Sequence, residues 1–89
     1  MLNEDSMYNC RVCGLNQGVK PWGEDGKTPS FDICTCCGVQ FGYEDCDKLS
    51  VQKFRNEWIQ KGANWSWPKN RQTGWDLEKQ LRNIPEEFK

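Results

Sequence analysis

The sequence predicts an α+β fold in which a small cysteine-bearing β knuckle, residues 8–45, packs against two C-terminal helices, residues 46–89. Three observations predict it. All six cysteines lie within residues 10–46, four of the five tryptophans lie in the second half, and apolar residues recur at helical spacing only after Ser50. A chain of 89 residues accommodates one domain. Each half alone is too short to bury much, so residues 1–89 read as a single domain with a tryptophan-rich helical extension.

The elements follow from turn signals and periodicity. Residues 7–10 and 31–34 read as short strands leading into cysteines, Val39–Tyr43 as a return strand, and Val19–Trp22 as another, ended by the turn-rich stretch Gly23–Ser30. A helix is predicted to begin after Ser50, which caps it, with Leu49 and Phe54 as a hydrophobic staple. Val51, Phe54 and Trp58 make its apolar stripe, Ile59 adjoins it as a further core residue, and Gly62 supplies a left-handed stop. A second helix is predicted from Leu77, capped by Asp76, to about Asn83. Leu77, Leu81 and Ile84 form its stripe, and Pro85 lies just beyond. The segment Ala63–Gly74 between the helices reads as irregular.

Composition narrows the chemistry. There is no histidine, so neither Ser-His-Asp nor Cys-His catalysis is available within the chain, and no imidazole can bind a metal. The net charge of −1 argues against a strongly basic nucleic-acid binder. It conceals an asymmetry: residues 1–49 carry four basic and eight acidic side chains, and residues 50–89 eight basic and five acidic. No apolar run approaches the roughly 18 residues of a membrane span. The segment from Met1 to Ser6 lacks the basic and apolar regions of a leader peptide, so a cytoplasmic protein is expected.

The cysteine spacing carries the strongest signal. Cys10-Arg-Val-Cys13-Gly14 and Cys34-Thr-Cys36-Cys37-Gly38 are two C-x-x-C-G motifs separated by twenty residues. Two residues between thiolates let both sulfurs reach one ion at about 2.3 Å. The following glycine admits the positive φ that closes the turn. Twenty residues suffice for an out-and-back excursion. Cys10, Cys13, Cys34 and Cys37 are therefore the candidate metal ligands, with one structural zinc as the first choice of ion and iron as the second. A disulfide framework is the alternative; the lack of a leader and the adjacency of Cys36 and Cys37 argue against it. Cys36 is then a spare thiol packing as a small apolar residue. Cys46, in Glu44-Asp45-Cys46-Asp47, reads as a surface or helix-entry cysteine. A second site or redox pair made of Cys36 and Cys46 is the sharper alternative.

Tyr8-x-Cys10-x-x-Cys13-Gly14 and Ile33-Cys34-x-x-Cys37-Gly38 resemble the knuckles of rubredoxins and zinc ribbons. The β part is accordingly expected to be zinc-ribbon or rubredoxin-like. Over residues 8–88 the chain is similar to small uncharacterised bacterial cysteine-rich proteins related to the CPCC-motif family. The first half carries that likeness in Tyr8, Cys10, Val12, Cys13 and Gly14, then in Pro29, Ser30, Phe31, Ile33, Cys34, Cys36, Cys37, Gly38, Phe41, Gly42 and Tyr43. The second half carries it in Arg55, Trp58, Ile59, Gly62 and Trp65, then in Trp75, Leu77, Gln80, Leu81, Asn83 and Ile84. Thr35 departs from it, where the motif has proline, and so does Cys46, where an acidic residue is expected. The resemblance implies a bound metal and, through some relatives, a place in bacterial toxin–immunity neighbourhoods.

Weaker features give the remaining expectations. Lys61–Arg71 interleaves Lys61, Lys69 and Arg71 with Trp65 and Trp67, a pattern that can stack on single-stranded nucleic acid but also suits tryptophans covering a small core. Residues 44–47 read as a solvated helix entry or as an acidic surface for a basic partner. The functional expectation is a non-enzymatic, zinc-stabilised module that binds a protein partner, with an immunity or antitoxin-like protein as its more specific form. The alternatives are nucleic-acid binding through Lys61–Arg71 and rubredoxin-like electron transfer with iron at the same four cysteines.

Overall fold

The computed structural model describes residues 4–89. Met1–Asn3, part of the segment inspected above for a leader, lie outside them. The two cysteine motifs form the same turn, residue for residue. In the first, the Cys10 N–H donates to the Leu15 carbonyl at 2.9 Å, Gly14 N–H to Cys10 at 3.0 Å, and Gln17 N–H to Tyr8 at 2.8 Å. In the second, Cys34 N–H donates to Val39 at 2.9 Å, Gly38 N–H to Cys34 at 3.0 Å, and Phe41 N–H to Asp32 at 3.0 Å. Gly14 and Gly38 close the two turns at φ of 86° and 82°, where a Cβ is strained.

The zinc-ribbon or rubredoxin-like β knuckle predicted from sequence does not form. Among the described residues there is no strand and no sheet, only the isolated antiparallel bridges Asn9–Asn16 and Ile33–Gln40. The flanking backbone ends each ladder after one bridge. Glu4–Tyr8 is a 3-10 helix where a strand was expected. Val19–Trp22 lies between Gly18 and Gly23, both at positive φ, and Val39–Tyr43 runs into a turn at Gly42, whose φ is 100°. Residues 31–34 begin with Phe31 at φ 63°, outside the extended region a strand requires. Turn hydrogen bonds such as these satisfy the local backbone, so no sheet is needed for that purpose.

Helix α1 spans Lys48–Gln60, starting before the predicted Ser50. Its cap is Asp47, in extended conformation, whose side chain accepts the Ser50 N–H at 2.8 Å. Ser50 is already helical, so it donates where it was expected to accept. Leu49 is 79% exposed and staples nothing. Val51 and Trp58 are buried and Phe54 is partly so. Ile59, expected in the core, is exposed, turned about 80° round the axis from Val51. The end is as predicted: Gly62 at φ 108° donates to the Ile59 carbonyl and Ala63 N–H to Trp58, a Schellman closure.

Helix α2 spans Leu77–Leu81 and is capped by Asp76, which accepts the Lys79 N–H at 3.2 Å. It stops short of Asn83 because the chain tightens, with Asn83 N–H bonded to Gln80 and Ile84 N–H to Leu81. The stretch between the helices is irregular apart from a 3-10 turn at Pro68–Asn70. A last 3-10 turn, Glu86–Phe88, packs on α1.

Arg55, on α1, binds three parts of the chain together. Its Nε donates to the Val12 carbonyl at 2.7 Å and its Nη2 to Arg11 at 2.9 Å and to Phe88 at 2.6 Å. α2 presses on the same cysteine turn, with the Gln80 carbonyl against the open face of Gly14.

Two alanine substitutions separate strain from collision. Gly18, at φ 77°, faces open space, so Gly18→Ala should cost about 1–2 kcal/mol for the left-handed conformation alone. Gly14→Ala adds an overlap with the Gln80 backbone and should cost more, on the order of 3 kcal/mol or above. Thermal melts of both variants check the order.

Candidate metal centre

The two turns meet through their sulfurs. Cys10 Sγ lies 3.7 Å from Cys37 Sγ, and Cys13 Sγ lies 3.7 Å from Cys34 Sγ. The four sulfurs lie within 4.8 Å of one another and all four residues are buried. A tetrahedron with metal–sulfur bonds of about 2.3 Å has edges of about 3.8 Å, so two opposite edges already have the length an ion requires. The spacing is far too long for a disulfide bond of about 2.05 Å, and all six cysteines are free thiols.

The donor set suits an ion. The Val12 N–H points to Cys10 Sγ at 3.4 Å and the Gln17 side-chain amide to Cys34 Sγ at 3.4 Å, as donors around metal thiolates do. Cys36 is outside this set. It occupies the place in the second turn that Val12 holds in the first, is fully buried, and accepts the Gln80 amide at 3.3 Å. The same Gln80 Nε2 donates to the Cys13 carbonyl at 3.2 Å, and Gln80 Oε1 accepts the Trp75 indole N–H at 2.8 Å.

Protonation within the cluster is uneven. Burial pushes the Cys13 and Cys37 thiols well above the ordinary cysteine value. Hydrogen bonds from Cys10, Cys13 and Cys37 hold the Cys34 thiol well below that value. Burial lowers the Arg55 guanidinium from its usual value, while the sulfurs of Cys10, Cys13 and Cys37 favour its charged form. Arg55 is therefore a cation held on the carbonyls of the first turn, within electrostatic reach of its sulfurs.

Other sequence candidates lie apart from the cluster. Cys46 is exposed, its Sγ directed at the Gly42 carbonyl at 3.2 Å. Cys36 is buried, and the structure groups neither with a second set of ligands. The acidic run is not a uniformly solvated entry. Asp45 is completely buried, accepting the Trp22 indole N–H and the Gly42 N–H, each at 2.8 Å. Arg11 lies beside it, its guanidinium 3.9 Å from the Trp22 ring centre and 4.2 Å from that of Phe88. In the basic aromatic segment, Trp65 is buried edge-on to Trp75, with centroids 5.5 Å apart, and is not displayed for stacking on bases. Its indole N–H has no hydrogen-bond partner among the described residues. Trp67 alone of the pair is exposed.

Sequence reasoning gave no site role to Gln80, Gln17 or Arg55. Gln80 had a signal: it falls on the Leu77–Ile84 stripe, where a polar side chain needs a buried partner.

The chain is similar to two uncharacterised proteins of Bacillus subtilis (strain 168). It is 32% identical to YoaQ, with 89% of this chain and 75% of that protein covered, and 28% identical to YozI, with 86% and 72% covered. No protein-family model matches it, and no solved structure matches it.

Two measurements test the centre. Cys37→Ala should abolish stoichiometric metal binding in a chelator competition, and Cys36→Ala should keep it. The affinity should also fall as pH falls, because protons compete for sulfurs the ion needs bare. Cys13 and Cys37 are raised, so each holds its proton at neutral pH and must give it up to the ion. Calorimetry in buffers of different ionisation enthalpy should detect that release.

Proposed function

The chain belongs to the family of Bacillus subtilis YoaQ, and on that premise we propose that it is a non-enzymatic protein-binding module stabilised by one structural zinc ion. The observation that carries the reading is the buried four-sulfur set, with its two 3.7 Å edges. Soft thiolate donors select zinc or iron over magnesium or calcium. Four protein ligands complete a tetrahedral shell, so no position is left for a water or a substrate, and the ion's contribution is to folding. Cys10, Cys13, Cys34 and Cys37 would hold it as thiolates, with Val12 N–H and Gln17 orienting sulfurs and Arg55 offsetting the surplus negative charge.

Magnitudes support a structural role. Zinc binding by small zinc-folded peptides is worth about 10–16 kcal/mol at neutral pH. The whole stability of a small domain is on the order of 5 kcal/mol or somewhat more. A module whose fold depends on the ion then acts through its surface. The immunity-type role implied by the family resemblance is one form such a module takes. Among the described residues no helix is long and apolar enough to cross a membrane.

Protein purified without added metal should be colourless and contain about one zinc per chain. Chelation should unfold at least residues 8–42 and remove the cooperative melt. A melt and circular dichroism unchanged after the ion is stripped count against a structural role. A red protein with a reversible potential would favour electron transfer through iron instead.

A further inference from the structure

Phe31 sits at φ 63°, a conformation that L side chains adopt only under constraint and that bulky ones rarely adopt at all. The strain is on the order of 1–2 kcal/mol, and Gly or Asn would remove most of it. The backbone is held there on both sides. Gln40 Nε2 donates to the Phe31 carbonyl at 3.1 Å, and the Asp32 N–H donates to Ser30 Oγ at 3.2 Å. The ring lies over Gly42, where an added Cβ would collide with Phe31 and with Pro29. From there it meets Tyr43 edge-on, with centroids 5.8 Å apart. Strain of this kind ordinarily buys burial. Here Phe31 stays 53% exposed, as do its ring partner Tyr43 at 65% and, two residues along the chain, Ile33 at 58%.

The chain segment that carries these residues has charge of one sign. Between Lys27 and Lys48 the sequence has no basic residue and four acidic ones, Asp32, Glu44, Asp45 and Asp47. Asp45 is withdrawn into the interior, and Asp47 is committed to capping α1. Asp32 and Glu44 remain exposed, each adjoining one of the two aromatic residues. An apolar centre with a charged rim is the arrangement of a protein interface, in which the aromatic anchors supply affinity and the rim selects the partner's charge.

We propose that Phe31, Ile33 and Tyr43, rimmed by Asp32 and Glu44, form the docking surface for a basic protein segment carrying Arg or Lys beside apolar side chains. The proposal rests on the protein-binding reading above and gives that module its contact face and its partner's chemistry. Cations of the partner lie against the carboxylates and the aromatic ring faces, and its apolar residues cover the exposed rings. A polyanion such as RNA is repelled by the same rim.

The test uses the metal-bound full chain and a short peptide of alternating Arg and Leu, followed by amide chemical-shift mapping. Saturable shifts confined to residues 29–44, weakened by added salt, are expected. Phe31→Asn should weaken binding about tenfold while the melting temperature holds or rises, since Asn tolerates positive φ. Tyr43→Ala, at the more exposed ring, is a second variant that should also weaken binding, whether or not Phe31→Asn folds. Absence of saturable shifts, shifts centred elsewhere, or indifference to the variants overturns the proposal. So does equal binding of a Glu-Leu peptide or of poly(U). Metal content and chelator sensitivity are read on the same samples. If the peptide fails on a chain that holds its ion and melts on chelation, the surface assignment is wrong and the structural zinc stands. If chelation leaves the melt unchanged, the zinc reading is wrong, and the peptide data still decide the surface.

Discussion

Bringing four cysteine sulfurs within 4.8 Å of one another forces two distant turns of the chain face to face, and most of the interior is arranged around that contact. Five of the twelve residues in the buried cluster are cysteines, joined by small aliphatics such as Val12, Val39 and Val51 and by a few larger rings. Such residues bury little apolar area, so hydrophobic transfer alone gives a modest driving force. A tetrahedral ion would act where the apolar contribution is weakest. It also explains why α1 and α2 both aim polar groups at the turns. Arg55 caps the carbonyls of the first, and Gln80 reaches Cys13 on one turn and Cys36 on the other.

What the sequence makes legible is local. The C-x-x-C-G spacing and the glycine after each second cysteine encode a turn whose hydrogen bonds close within a few residues. Gly62 and Asp76 act as helix signals for the same reason, since each capping interaction is local in sequence. The missing sheet was not legible. Val39–Tyr43 has strand-like composition, but Gly42 bends it so that Phe31 and Pro29 can pack on its open face. That is a tertiary event. The cap of α1 went to Asp47 over Ser50 because both residue types suit the position and only the incoming chain direction chooses between them. Of the candidate site, the four sulfurs were readable from spacing. Gln17 and Arg55 were not, because their partners are sulfurs or carbonyls far away in sequence, and the place of Gln80 on the apolar stripe marked it as buried without naming its partners.

Arg11, Asp45, Trp22 and Phe88 form a second tie, remote from the sulfurs. Arg11 is stacked between two aromatic rings and donates to the carbonyls of Asp45 and Gly26 at 2.9 and 3.3 Å. A carboxylate as deeply buried as Asp45 is tolerable only with its oxygens hydrogen-bonded and a cation close by. This group joins the loop before the second cysteine turn, the entry to α1 and the C-terminal tail. It also takes one carboxylate out of an acidic run, so the charge offered to solvent there is less than the sequence suggests.

The duplication of the cysteine turn has a consequence for how the molecule assembles. Each turn closes through short-range hydrogen bonds, and such closures are fast and lose little chain entropy. Either turn can therefore present a pair of sulfurs before the other arrives, which would give an incoming ion a two-coordinate start. The slower event is closing the long excursion from Leu15 to Ile33 that carries one turn to the other. Closure entropy grows only slowly with length. Extra residues in the stretch Gly23–Ser30 would thus add only slightly to the cost of bringing the turns together. The meeting of the turns sets the tempo of assembly, and the sulfurs set its endpoint.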